Sequence, residues 1–234
     1  MPKYHFDLDQ NSEAWELLRL GIPTASEFHR IITPEGKASA QAEDYADRLI
    51  AEKILKRNVD FSMADSGWMQ RGKELEQEAV CDYELMNDIE TKPVGFVTTD
   101  DGLMGCSPDR LVGDDGLLEL KCPAPQTLIG VLIASRKNTI EPRRSELKAI
   151  RKYYPQIQGQ LYVTGRKWCD LSIYHPDLFR FHIRVYRDEV YLKIMEKLMN
   201  DFNEYIADSI INIIAPEMTA LSERRSATEL PSLY

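Results

Sequence analysis

The stretch Ser107-Pro-Asp-Arg-Leu-Val-Gly-Asp-Asp-Gly-Leu-Leu-Glu-Leu-Lys121 decides the fold. It predicts two short strands joined by a turn. Leu111 and Val112 close the first strand, residues 117–120 form the second, and Gly113-Asp-Asp-Gly116 lies between them. Alternation along the second strand puts Glu119 and Lys121 on one face and Leu118 and Leu120 on the other. Whether Asp109 joins the polar face depends on register. A four-residue loop over 113–116 sets Asp109 opposite Leu120, on the apolar face. A three-residue loop over 114–116, with Gly116 as its left-handed residue, sets Asp109 opposite Lys121. This second register is the expected one, because only it gathers the charged groups.

That face then carries two carboxylates and an ammonium. Like charges at close range repel unless a cation lies between them. A hard divalent ion such as Mg²⁺ suits the pair, since it takes oxygen ligands and keeps waters. A lysine beside it can orient or deprotonate a water next to a phosphodiester. The order Pro-Asp, then Glu-x-Lys, is that of the PD-(D/E)xK nucleases. For so short a pattern the competing reading is a solvated hairpin with an ordinary cross-strand Asp–Lys pair.

The 234 residues suffice for one substantial core, so a single domain over 1–234 is expected, with a polar tail from 222 to 234 loosely held. An apolar fraction of 43% with 29% charged residues is that of a soluble globular chain. No apolar run approaches a membrane span and the N-terminus has no signal-peptide pattern, which points to the cytoplasm. Cys81, Cys106, Cys122 and Cys169 lack metal-binding spacing and read as reduced thiols. The net charge of −9 argues against indiscriminate coating of nucleic acid. It is uneven, however. Arg136, Lys137, Arg143, Arg144, Lys148, Arg151 and Lys152 face only Glu141 and Glu146 within one segment. Such a stretch either guides a polyanion or is a solvated polar surface.

Along the chain, Asn11 or Ser12 caps a short helix through Trp15 that Gly21 ends. Thr24-Ala-Ser-Glu27 predicts a capping box opening a second helix through Phe28, Ile31 and Ile32. Ser26 in its first turn and Arg19 just upstream suggest a phosphate site. Helices follow over about 42–56 and 67–85, and Glu76 falls within the apolar stripe of the latter. A carboxylate there is costly unless paired, metal-bound or reaching water. Residues 94–98 predict a strand, and Pro123 and Pro125 stop the central hairpin. A helix then starts near Tyr153, where Gln156 and Gln160, or Gln158 and Tyr162, share a face. Two strands over 168–174 and 179–186 precede an amphipathic helix over 190–213. Its stripe is Tyr191, Ile194, Met195, Leu198, Phe202 and Ile206, and Pro216 closes it. The order predicts an α/β fold with mixed strand directions.

Four stretches occur together: Trp15-Glu-Leu-Leu-Arg-Leu-Gly-Ile-Pro-Thr-Ala-Ser26, Gly72-Lys-Glu-Leu-Glu76, Cys106-Ser-Pro-Asp109 with Leu118-Glu-Leu-Lys-Cys-Pro123, and Gln156-Ile-Gln158. Over roughly residues 12–200 they resemble the phage lambda exonuclease family of YqaJ-type viral recombinases. The resemblance implies a PD-(D/E)xK, restriction-endonuclease-like core, a central mixed β-sheet flanked by helices. It implies an alkaline-type exonuclease that uses two Mg²⁺ ions, with Mn²⁺ as a substitute. Such an enzyme degrades the 5′ strand of linear double-stranded DNA and leaves a 3′ tail for a single-strand-annealing protein. A ring-shaped homotrimer is part of the same implication, and a closed ring reconciles a net negative chain with DNA.

By that likeness Asp109, Glu119 and the Leu120 carbonyl are metal ligands, and Glu76 holds the second ion. Lys121 activates the attacking water, helped by Gln156. Arg19, Ser26 and Ser107 grip DNA phosphates, and Met69 is the apolar wedge that separates the strands. Asp100 or Asp101 answers to a further acidic residue of the family only with a small gap. Residues 124–128 carry no charge where the family has a basic one, so Arg136 or Lys137 is its candidate replacement. Lys37 is the candidate for an arginine in the loop near Thr33. Gln158 with Tyr162 also fits a related nuclease signature. Two other functions stay open on these residues: a PD-(D/E)xK endonuclease, and a catalytically silent DNA-end-binding scaffold.

Overall fold

The computed structural model describes residues 1–59, 67–137 and 148–228, with the side chains of 67–73, 136–137, 148–149 and 222–228 outside the description. Strand β1 (Lys3–His5) and helix α1 (Glu13–Arg19) open the chain, and a 3₁₀ turn (Ala25–Arg30) follows. Next come α2 (Ala42–Leu55), α3 (Gly67–Asn87), β2 (Thr91–Lys92), β3 (Phe96–Thr98), β4 (Gly105–Cys106), β5 (Arg110–Val112) and β6 (Gly116–Lys121). The second half holds α4 (Pro125–Lys137), α5 (Lys148–Thr164), β7 (Trp168–Ile173), β8 (Phe181–Tyr186), α6 (Glu189–Ser209) and α7 (Ala215–Thr228).

A five-stranded sheet in the order β2-β5-β6-β7-β8 is the centre, and only its β6–β7 pair is parallel. A smaller sheet, β1-β3-β4, is antiparallel throughout. This is the expected mixed α/β architecture. Both faces of β6 are covered, as a central strand with a parallel neighbour requires. Leu117 packs into the main core with Phe28, Ile157 and Leu161. Leu118 and Leu120 meet Ala79, Val80 and Tyr83 of α3 on the other face.

Alternation is as expected, but the register differs by two residues. Arg110 pairs with Leu118 and Val112 with Gly116, which leaves a loop over 113–115 and brings Asp109 beside Glu119 rather than Lys121. Gly113, at φ +51°, is the left-handed residue. Gly116 lies in the strand, where a Cβ would fall 2.2 Å from the Trp168 ring. A shift of two keeps every side chain on its face, so the charged groups still converge.

The capping box at Thr24 does not form. The Thr24 side chain makes no cap, and a six-residue 3₁₀ turn replaces the expected helix. Thr24 is buried, its N–H donates to Tyr45 Oη, and it bridges to Gly105. Those tertiary partners outcompete local capping. The turn rests against α5 at Gly159, where a Cβ would come within 2.3 Å of the Phe28 ring.

Further along, α4 is a helix where only a strand stop and a basic segment were expected. Pro125 serves as its first residue, a position that loses no hydrogen bond. Pro216 does not end the helical run. A π turn over Ile210–Ile214, closed by Ala215 N–H on Ile210 O, widens the ladder just before it, and α7 continues to Thr228. The tail is thus helical in its first part, while 229–234 lie outside the described residues. On α6, Leu192 and Met199 are buried with Tyr191, Met195, Phe202 and Ile206, whereas Ile194 is exposed.

Candidate active site

Asp109 stands just ahead of β5, and its Oδ2 accepts the Leu120 N–H at 2.6 Å. Because β5 begins at Arg110, that N–H has no strand partner, and the Leu120 carbonyl leaves β6 on the same edge. Glu119 is only 1% exposed, yet both its oxygens are satisfied. Oε1 accepts from Gln156 at 2.7 Å and from the Lys121 ammonium at 2.5 Å. Oε2 accepts from Gln160 at 2.6 Å. Lys121 also lies 5.3 Å from the Tyr153 ring centroid.

These contacts set the protonation of the site. Burial, and next the charge of Glu119, push the Asp109 carboxyl well above the usual range, with Lys121 and the Leu120 N–H opposing. Burial alone would lower the Lys121 pKa, but Glu119 and Asp109 outweigh it and hold the ammonium above an ordinary lysine. Glu76, half-buried on α3, adds its negative charge to the forces raising Asp109 and Cys122.

Two facing carboxylates with a carbonyl on the same edge form an all-oxygen donor set, and Lys121 already answers their demand for positive charge. Such a set fits Mg²⁺ held by one or two carboxylates with the balance as water. Among the described residues no three His, Cys, Asp or Glu side chains converge as a metal cluster, although the charge of Glu76 reaches Asp109. A cation at the Asp109–Glu119 pair is expected to relieve the repulsion at Asp109. A carboxyl with a raised pKa withdraws stability as pH climbs from its ordinary value through its folded one. Asp109→Asn is therefore expected to raise the melting temperature of the metal-free protein at pH 8 by about 3 °C, a difference that fades toward pH ~3. Added Mg²⁺ should stabilise the wild type and not the variant. Thermal denaturation at both pH values with and without Mg²⁺ checks this, and equal melting at pH 8 would contradict it.

A cavity of about 160 Å³ adjoins these residues and is lined by Gln10, Trp15, Arg19, Thr24, Ala25, Ser26, Ser107, Gln156 and Gln160. It brings Arg19 and Ser26 of one stretch together with Ser107 of another. Arg19 stacks 3.8 Å from the Trp15 ring centroid. Trp15 Nε1 donates to Ser107 Oγ at 2.9 Å and to Gly95 O at 3.1 Å, which fixes the indole beneath the guanidinium. Burial lowers the Arg19 pKa, with Tyr45, Glu27 and Glu52 only partly offsetting it. Arg19 forms no ion pair with a described residue. Gln156 and Gln160 line the cavity and also hold Glu119, so the cavity and the carboxylates are one site.

The family model of the YqaJ-like viral recombinase domain matches residues 14–167, a span that holds Asp109, Glu119, Lys121 and every cavity residue named above except Gln10. The chain belongs to the YqaJ-like viral recombinase family. An alkaline exonuclease, LHK-Exo from Laribacter hongkongensis, is 28% identical with a TM-score of 0.68, covering 94% of this chain and 100% of that one. LHK-Exo in complex with dAMP matches to the same extent. A phage-related exonuclease from Haemophilus somnus 129PT, 13% identical with a TM-score of 0.61 over 81% of this chain and 95% of that one, shares the fold. No curated protein matches the sequence.

In this YqaJ-like chain the remaining candidates fall elsewhere. Gln158 is buried facing away from Glu119, donating to Tyr186 O at 2.8 Å and accepting from Asp188 N–H at 3.0 Å. Tyr162 donates to Glu196 at 3.1 Å. The pair at the carboxylate is instead Gln156 and Gln160. Helical spacing allowed either pair, and only the rotation of α5 against β6 distinguishes them. Asp101 closes the β3–β4 turn through Thr99 and the Leu103 N–H, and Asp100 pairs with the N-terminus. Neither belongs to the site. Lys37 is exposed in the loop after Thr33. The side chains of Met69, Arg136 and Lys137 lie outside the described residues. Trp15 stood in the sequence within a stretch that resembles the family but without a role of its own, and Gln160 only as a residue sharing a helical face with Gln156.

Proposed function

We propose that this protein is a Mg²⁺-dependent exonuclease that hydrolyses the 5′ strand of linear double-stranded DNA, leaving a 3′ single-stranded tail. The observation that carries the reading is the convergence of Asp109, Glu119 and Lys121 with a cavity built around Arg19, joined through Gln156. The likeness to an alkaline exonuclease at 28% identity over 94% of the chain supports it.

When bound, the cation supplies Lewis-acid polarisation of the phosphodiester and a water of lowered pKa. The remaining work belongs to side chains. Asp109 and Glu119 would hold the cation, with the Leu120 carbonyl beside them, and Glu76 on α3 would take a second ion. Lys121, kept as an ammonium, orients the attacking water and favours the charge that develops on the phosphoryl oxygens. Gln156 reaches both Glu119 and the cavity and aligns the two. Arg19, with Ser26 and Ser107, seats a phosphate and sets the register of each cut. The same reading includes a ring-shaped trimer threaded by DNA and delivery of the 3′ tail to a single-strand-annealing protein. Mn²⁺ substitutes for Mg²⁺ in it.

Digestion of linear duplex DNA labelled at either the 5′ or the 3′ end tests the proposal. Mg²⁺-dependent release of the 5′ label, with the 3′ label retained until late digestion, is the expected result. Early release of the 3′ label would reverse the polarity. Cutting of closed circular duplex would make the protein an endonuclease instead.

A further inference from the structure

Helix α5 meets the Glu119 carboxylate with two glutamines one turn apart, and their surroundings differ. Both line the cavity, but Gln156 is half-buried and shares Oε1 with Lys121. Gln160 is 1% exposed, and its Nε2 donates to Oε2 at 2.6 Å. The direction of that amide is dictated by chemistry, since an ionised carboxylate only accepts and must face the NH₂ end. Its carbonyl end faces the Cys169 thiol at 4.0 Å. One turn on, Thr164 Oγ1 donates to the Gln160 backbone carbonyl at 2.7 Å. Oε2 is thus engaged by a fully buried amide, while Oε1 is left to the half-exposed groups.

We infer that Gln160 is a positioning residue that anchors Glu119 through Oε2, so that Oε1 alone is presented to a divalent cation. Gln156, by contrast, can exchange its bond to Oε1 for one to substrate without releasing the carboxylate. The inference deepens the proposed function and rests on it for the role of Glu119. Outer partners of metal ligands commonly carry a 10–100-fold share of metal affinity or activity, and Gln160 occupies such a place. An anchor of this kind acts on the ligand and not on DNA binding, so the effects should separate.

The test uses the full chain. Mn²⁺ binding is measured without DNA by electron paramagnetic resonance of the free ion, beside kcat and KM on linear duplex. Gln160→Leu is expected to weaken Mn²⁺ binding by about 10-fold or more and to lower kcat by about 10–100-fold, with KM for DNA within about twofold of wild type. Gln158→Leu, two residues away on the same helix and equally buried, is the control. It should lower the melting temperature and leave Mn²⁺ affinity unchanged. Wild-type Mn²⁺ affinity in Gln160→Leu would overturn the inference, as would an equal loss in Gln158→Leu. Should Gln160→Leu fail to fold, Gln160→Asn, one methylene short of Glu119, carries the same comparison with the same criteria. If the wild type binds Mn²⁺ but releases no label from DNA, the exonuclease reading falls while the anchor is still judged on Mn²⁺ binding.

Discussion

Lys121→Ala is expected to lower kcat on linear duplex DNA by about 10³-fold while leaving DNA binding intact. The ammonium touches the Glu119 carboxylate at 2.5 Å and lies in the field of Asp109, so its removal takes away the cation in direct contact with that carboxylate. Glu119 and Asp109 hold its pKa above that of an ordinary lysine against the opposing effect of burial, so in the metal-free centre Lys121 is an ammonium that donates to Glu119. Two consequences follow. The rate should show no limb attributable to Lys121 losing its proton between neutral pH and pH ~10. Lys121→Arg should keep the charge but misplace it, since a planar fork cannot occupy the position of a compact ammonium. Single-turnover digestion of labelled duplex across pH, beside a DNA-binding assay in Ca²⁺, measures both. Retention of activity within tenfold in Lys121→Ala would remove the residue from the chemistry.

The second large effect is expected at Arg19. Loss of a hydrogen bond to a charged group costs about 1.5–3 kcal/mol. Arg19→Ala should therefore slow digestion of 5′-phosphorylated ends by about 10–100-fold and change hydroxyl ends little. The guanidinium is largely withdrawn from water, stacked on Trp15, and without an ion-pair partner among the described residues. A buried cation in that state weakens the metal-free fold, in the direction of its lowered pKa, and an incoming phosphate would supply the missing counter-charge. Arg19→Ala should accordingly melt no lower than the wild type, which separates a binding role from a structural one. Rates on duplexes that differ only in the 5′ terminus decide the matter. Equal losses on both ends would show that Arg19 serves the fold or the duplex as a whole.

Much of this centre was legible before any coordinates. Pro-Asp followed by Glu-x-Lys, read with strand alternation, placed Asp109, Glu119 and Lys121 on one face. That conclusion survived an error of two residues in register, because side-chain facing has a period of two. The stretch from Trp15 to Ser26 carried part of the likeness to the family, and that likeness named Arg19, Ser26 and Ser107, which the fold gathers in one cavity. Local chemistry also located most helices and strands, since caps, prolines and apolar periodicity are short-range signals.

Other features depended on contacts that no local pattern records. Thr24 gave up its cap for Tyr45 and Gly105, partners distant in sequence, and a 3₁₀ turn formed in place of a helix. Pro216 was absorbed by a π turn instead of ending a helix. The choice between the Gln156–Gln160 and Gln158–Tyr162 faces rested on how α5 is rotated against β6, and that rotation follows from Phe28 packing at Gly159 and from Leu161 in the main core. The sequence by itself determined which donors, acceptors and charges are available for chemistry, because these belong to each residue's own side chain. Only the tertiary structure decided which of them meet, because that depends on the packing of elements far apart in the chain.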